Sequence, residues 1–146
     1  MLSSALLSAL HVFALAIGLP GVFLRGRALR AGDVPRVLAA DSAWGVAALL
    51  WLVTGLARAF GGFEKGTQFY LANPMFHLKL TLFVAIFLLE MYPMATFIKW
   101  RIALAKKQPV DLSKTGLLAR LNAVELALTI ALPFVAALMA RGIGMR

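Results

Sequence analysis

The chain has 146 residues, 62% of them hydrophobic, with a net charge of +9 and no cysteine. Soluble domains run to about 45–50% apolar residues, so this composition leaves no room for a soluble domain beside a membrane part, and the missing cysteines exclude disulfides, iron–sulfur clusters and thiol catalysis. The positive charge flanks apolar segments, which is the pattern of membrane borders and not of nucleic-acid binding.

A bilayer crossing takes about 20 apolar residues, and residues 3–24 form the first such run. A secretory signal fits poorly, because no Lys or Arg precedes the run and no small-residue cleavage pattern follows it; a retained helix is expected. Its His11 shares a face with Ala14, Gly18 and Gly21. Small residues at that spacing let a neighbouring helix come close, and they equally leave space for a flat ligand beside the imidazole. His11 is then either a buried histidine bonded to a neighbouring helix or a ligand to haem iron. The connection that follows holds Arg25, Arg27, Arg30 and Arg36 against Asp33.

The second helix is expected at about 38–60. Asp41 shares a face with Gly45, Ala48 and Gly55, one turn inside the boundary, where pairing with a basic loop residue is the simple account. Trp44 and Trp51, seven apart, line an aromatic pocket or pack in the core. Arg58 reaches the opposite interface, where it either snorkels or binds an anionic group such as a propionate. Gly61, Gly62, Gly66 and Pro74 then mark a structured loop. Phe69 and Tyr70 are expected to anchor it at the headgroups, and Pro74 to open the next helix.

The third helix, at about 76–98, carries Lys79 and Glu90, with Pro93 beyond them. Eleven residues put Lys79 and Glu90 on one face, and His77 lies about 200° from Lys79. Charges inside a span normally face the bundle interior, so Lys79 and Glu90 are turned inward and His77 is left at the interface. The following connection holds Lys99, Arg101, Lys106, Lys107, Lys114 and Arg120 against Asp111. In the fourth helix, at about 118–140, Asn122, Glu125 and Thr129 form a second inward polar stripe. Glu90 and Glu125 would pair with Arg120 and Lys99, or mark a proton path. No zinc-spaced cluster and no HExxH, GxSxG or Walker-type motif is present.

These four spans predict an all-α, integral-membrane four-helix bundle forming a single domain, residues 1–146. The basic residues of the first and third connections place those connections on the cytoplasmic side and both termini on the periplasmic side.

The run from Leu38 to Phe60 (LAADSAWGVAALLWLVTGLARAF), the FEKGTQFYLANPMFHLKL loop and helix start, and FIKWR together resemble the bacterial membrane proteins grouped as DUF2214. The positions that carry the resemblance are Asp41, Gly45, Glu64, Lys65, Gly66, Tyr70, Asn73, Pro74 and Lys79; the first helix matches more loosely, through His11. Where that family mostly has tryptophan, this chain has His77. The architecture is also distantly similar to HemJ-type protoporphyrinogen oxidases and CopD-like membrane proteins, with His11 and Lys79 at the two matching positions. That likeness implies a haem- or porphyrin-binding inner-membrane protein with a redox role. His11 would be the axial ligand of a haem b, Lys79 and Arg58 would be cofactor contacts, and Lys79 and Glu90 would be the catalytic candidates. Two other classes stand beside it: a cofactor-free accessory subunit of a larger membrane complex or homo-oligomer, and a proton or ion carrier using Glu90, Glu125 and Asp41.

Overall fold

A computed structural model describes residues 2–62 and 66–144. Four helices in it are long and apolar enough to cross a membrane, and no strand occurs among the described residues. They are α1 (Leu2–Ala31), α2 (Val34–Phe60), α4 (Pro74–Ala105) and α5 (Thr115–Ala140), with a short α3 (Thr67–Ala72) between the middle pair.

Every long helix outruns the span expected for it. At 1.5 Å per residue, the 32-residue α4 is about 48 Å long, against a hydrocarbon core of about 30 Å. Charged residues stop a transfer-energy window but not a helix: once the chain reaches the headgroups, backbone hydrogen bonding continues through Arg27, Arg30, Lys99 and Arg101.

The expected first connection therefore shrinks to Gly32 and Asp33. Gly32 takes φ +66, a left-handed conformation natural only to glycine. The Asp33 N–H then donates back to the Ala28 carbonyl (3.0 Å), closing the α1 C-terminus. Asp33 in turn caps α2, its carboxylate accepting from the Arg36 N–H at 3.2 Å, with Pro35 in the first turn. At the start of α4, Asn73 Oδ1 accepts from the Met75 N–H at 2.9 Å and Pro74 opens the helix as expected. In the α4–α5 loop the Ser113 backbone N–H (2.9 Å) holds the Asp111 carboxyl below the usual carboxylate range.

α1 sits centrally, packed against α2 on one side and α5 on the other, while α4 leans on α5. α2 and α4 meet only sparsely, so a cleft runs between them. Gly18 and Gly21 make the α1–α2 approach possible: a Cβ on Gly21 would lie 3.2 Å from the Trp44 backbone nitrogen, and one on Gly18 would lie 3.1 Å from Ala47 Cβ.

The loop before α4 is ordered from Gly66 onward as α3, whereas Phe63, Glu64 and Lys65 lie outside the described residues. Tyr70 corrects one expectation. It is buried against Phe69 and Phe76, with ring centroids 5.5 and 5.4 Å away, and so is a core residue of this end instead of a headgroup anchor.

Candidate functional site

Two polar constellations occupy opposite ends of the bundle. The one toward the α1–α2 turn is built on Arg25, which the sequence reading had put in a loop. Arg25 is fully buried within α1. Its five N–H donors are all used. Nε donates to Asn122 Oδ1 (2.7 Å). Nη1 reaches Glu90 Oε1 (2.8 Å) and Asp41 Oδ1 (2.9 Å). Nη2 reaches Glu90 Oε2 (2.9 Å) and, in a short contact, Glu125 Oε2. The guanidinium also lies 5.8 Å from the Trp44 ring and 5.5 Å from the Phe97 ring, distances at which an aromatic face favours a cation.

This arrangement corrects one expectation and relocates another. Glu90 and Glu125 pair with Arg25 and not with Lys99 or Arg120, both of which are exposed. Asp41 does pair with basic residues expected in the connections, Arg25 and Arg101 (2.8 Å), but both stand inside helices. Glu90, a catalytic candidate from sequence, stands eleven residues from Lys79, about 16 Å along α4, inside this cluster. The inward stripe of Asn122, Glu125 and Thr129 is fully buried as expected. Asn122 completes the framework by donating to the Val22 carbonyl at 2.8 Å. It leaves so little room that a Cβ on Gly26 would come within 2.5 Å of its Nδ2.

A signal for Arg25 was present. At 100° per residue it continues the face of His11, Ala14, Gly18 and Gly21, within about 40° of each, whereas Arg27 and Arg30 point elsewhere and are exposed. The inward-facing stripe simply runs one turn past Gly21.

The second constellation lies toward α3. His11, Arg58 and Lys79, which come from α1, α2 and α4, line one chamber of about 250 Å³ together with Gly55, Phe76 and Met139. A smaller recess of about 60 Å³ extends from it into the α2–α4 cleft along Trp51, Leu56, Leu80 and Phe83. Lys79 and Arg58 are half-buried, while His77 is exposed; the inward turn of Lys79 and the outward turn of His77 match the face argument. The His77 Nε2 is engaged by the Leu71 carbonyl at 2.8 Å.

The tautomer of His11 follows from its neighbour. Thr54 Oγ1 donates its only proton to the Leu50 carbonyl (2.6 Å), so at its 2.8 Å contact with His11 Nδ1 it must accept. The neutral ring therefore carries its proton on Nδ1 and its lone pair on Nε2. Second-neighbour hydrogen bonding of this kind is what fixes a metal-ligating imidazole. Trp51 packs beside the ring at 5.8 Å.

The residues fit a haem in donor chemistry: a tautomer-fixed imidazole, two cations for carboxylates, and apolar walls. They do not fit it where sequence had put the space. The face of Ala14, Gly18 and Gly21 is filled by Trp44 and Ala47 of α2. Room beside His11 lies instead across Gly55, where a Cβ would stand 3.5 Å from His11 Cε1. At about 250 Å³ the chamber is just below the ~300–1,000 Å³ of small-molecule pockets, so it has room for only part of a macrocycle. Among the described residues no group of three or more His, Cys, Asp or Glu side chains is placed to hold a bare metal ion.

A family model described as "Predicted membrane protein (DUF2214)" matches residues 3–144. No curated protein and no solved structure matches the chain, and the comparisons do not show the likeness to HemJ- and CopD-type proteins.

Proposed function

The chain belongs to the DUF2214 family of predicted membrane proteins, and from that premise we propose that it binds a flat, apolar, anionic ligand of the haem or porphyrin class and serves a redox role with it. The supporting observation is that His11, Arg58 and Lys79, drawn from three helices, surround one chamber that continues into the α2–α4 cleft. An apolar ring would meet the apolar walls of the cleft, while its carboxylates would find the two cations. His11 would hold haem b through Nε2, with Thr54 fixing the ring's orientation. Lys79 and Arg58 would bind the carboxylates, and Lys79 is the acid–base candidate at the chamber. Bound haem would supply one-electron chemistry, which the protein tunes through the imidazole and the surrounding charge.

The setting we infer is the bacterial inner membrane, with both termini periplasmic. Arg27, Arg30, Arg36, Lys106, Lys107, Lys114 and Arg120 all lie toward the end opposite α3, and such residues collect on the cytoplasmic side. A reporter fused after Arg146 is expected to be active in the periplasm; cytoplasmic activity would invert the orientation.

The ligand is tested by titrating the purified protein with haem and, separately, with metal-free protoporphyrin. Both should bind saturably. The double variant Lys79→Ala/Arg58→Ala should lose about tenfold or more in affinity for each, since one charge-assisted contact is worth about 1.5 kcal/mol or more. Absence of saturable binding by the unaltered protein would overturn the proposal.

A further inference from the structure

The Arg25 cluster has an imbalance that its hydrogen bonds do not resolve. Three carboxylates, Asp41 and Glu90 and Glu125, share two guanidiniums, Arg25 and Arg101. With all five ionised the group carries a net charge of −1 in a low-dielectric setting that penalises unpaired charge. Arg25 has no donor left to give, because all five N–H groups are committed. Yet Glu125 Oε1 is wholly buried and has no hydrogen-bond partner among the described residues. A buried carboxylate oxygen without a partner is costly. A single proton answers both defects: it brings the net charge to zero and turns one carboxylate oxygen into a donor.

We propose that this cluster is a proton-binding site that holds one exchangeable proton, shared between Glu90 and Glu125. Glu90 is the door. Its side chain is 17% exposed, and it lines the lower end of the α2–α4 cleft beside Trp44, Ala48 and Phe87. Glu125 is the sealed end. The charged and polar groups around the pair are Arg25 from α1, Asp41 and Trp44 from α2 and Asn122 from α5, with Arg101 from α4 linked to them through Asp41. On release the O–H bond of the carboxylic acid breaks, the electron pair stays on the oxygen, and a water molecule at the exposed edge of Glu90 takes the proton; uptake reverses this. The site does not depend on which ligand fills the chamber, but it opens into the same cleft, one pair of tryptophans away.

The test is infrared spectroscopy of the full chain in lipid at neutral pH, with exchange into D₂O. The unaltered protein should show a protonated-carboxyl C=O band that shifts on deuteration; no such band overturns the proposal without any variant being needed. Charge balance makes a sharper demand. Glu125→Gln should lose the band, and so should Asp41→Asn, although Asp41 is not the residue that carries the proton, because removing its charge removes the need for one. Arg101→Gln, which takes away a cation, should keep the band. A band that survives in Asp41→Asn, or vanishes in Arg101→Gln, would contradict the charge count.

Discussion

The two ends of this bundle solve opposite problems. Around Arg25 the packing is closed: a wholly buried guanidinium, every donor used, two aromatic rings over its faces, and a glycine at 26 because nothing larger fits beside Asn122. Around His11 the packing is open: a half-buried imidazole and two half-buried cations around a chamber that continues into the α2–α4 cleft. Four helices that share little interhelical hydrophobic drive in lipid must be held by close packing and polar contacts. The Arg25 cluster joins α1, α2, α4 and α5 at one point, and this lets α2 and α4 part at the other.

If that division of labour is right, substitutions at the two ends should separate fold from ligand binding. The largest effect is expected from Arg25→Ala, which strands Glu90, Glu125 and Asn122 and leaves Asp41 with Arg101 alone. Breaking a buried ion pair from one side costs about 3–5 kcal/mol, so the variant should fail to accumulate as monodisperse protein in mild detergent. Arg25→Lys should not rescue it, because an ammonium cannot reproduce five N–H bonds in a planar fork. Normal yield and thermal stability of Arg25→Ala would break the comparison at its foundation.

Next is Gly26→Ala. Its Cβ would meet Asn122 Nδ2 at 2.5 Å, so Asn122 must move and loosen its bonds to Arg25 and Val22. A loss of about 1–3 kcal/mol is expected, read as a lower Tm. Gly55→Leu is the counterpart at the open end. It should fill the space beside His11 and abolish porphyrin binding while leaving the Tm within a few degrees of the parent's; a large fall in Tm would mean that the chamber is part of the structural core after all. The smallest effects concern α4: Lys79→Ala should weaken porphyrin binding, whereas His77→Trp, at an exposed position, should leave both binding and stability unchanged. Equal damage from the two would reverse their assigned facing.

The same contrast explains what could be read from the sequence. The open end was legible because its residues sit well inside apolar runs. There a lone His11 or Lys79 is conspicuous, and helical spacing alone sorts Lys79 from His77. The closed end was half legible. Glu90, Glu125 and Asn122 were read as inward and Asp41 as paired with a basic residue near the boundary, but their common partner was not identified, because Arg25 stands beside Arg27 and Arg30 and was read with them as a membrane-border charge. Hydropathy locates the end of an apolar run, and α1 continues for seven residues beyond residue 24. Only the face shared by Arg25 with His11, Gly18 and Gly21, together with the Gly32–Asp33 stop signal, distinguishes it. The room for a ligand was illegible for a different reason. Small residues on α1 permit either a void or a close neighbour, and which of these occurs depends on where α2 packs: Trp44 and Ala47 took that space, and Gly55 left another.

The measurement that bears most directly on the open end as a ligand site is the Soret-region spectrum of protein purified after haem-replete expression, taken for the parent, His11→Ala and His77→Ala. The parent and His77→Ala should both show the band, and His11→Ala should lack it while keeping the parent's elution profile. A colourless parent, or a band that survives in His11→Ala, would contradict the assignment of the chamber to a haem held by His11.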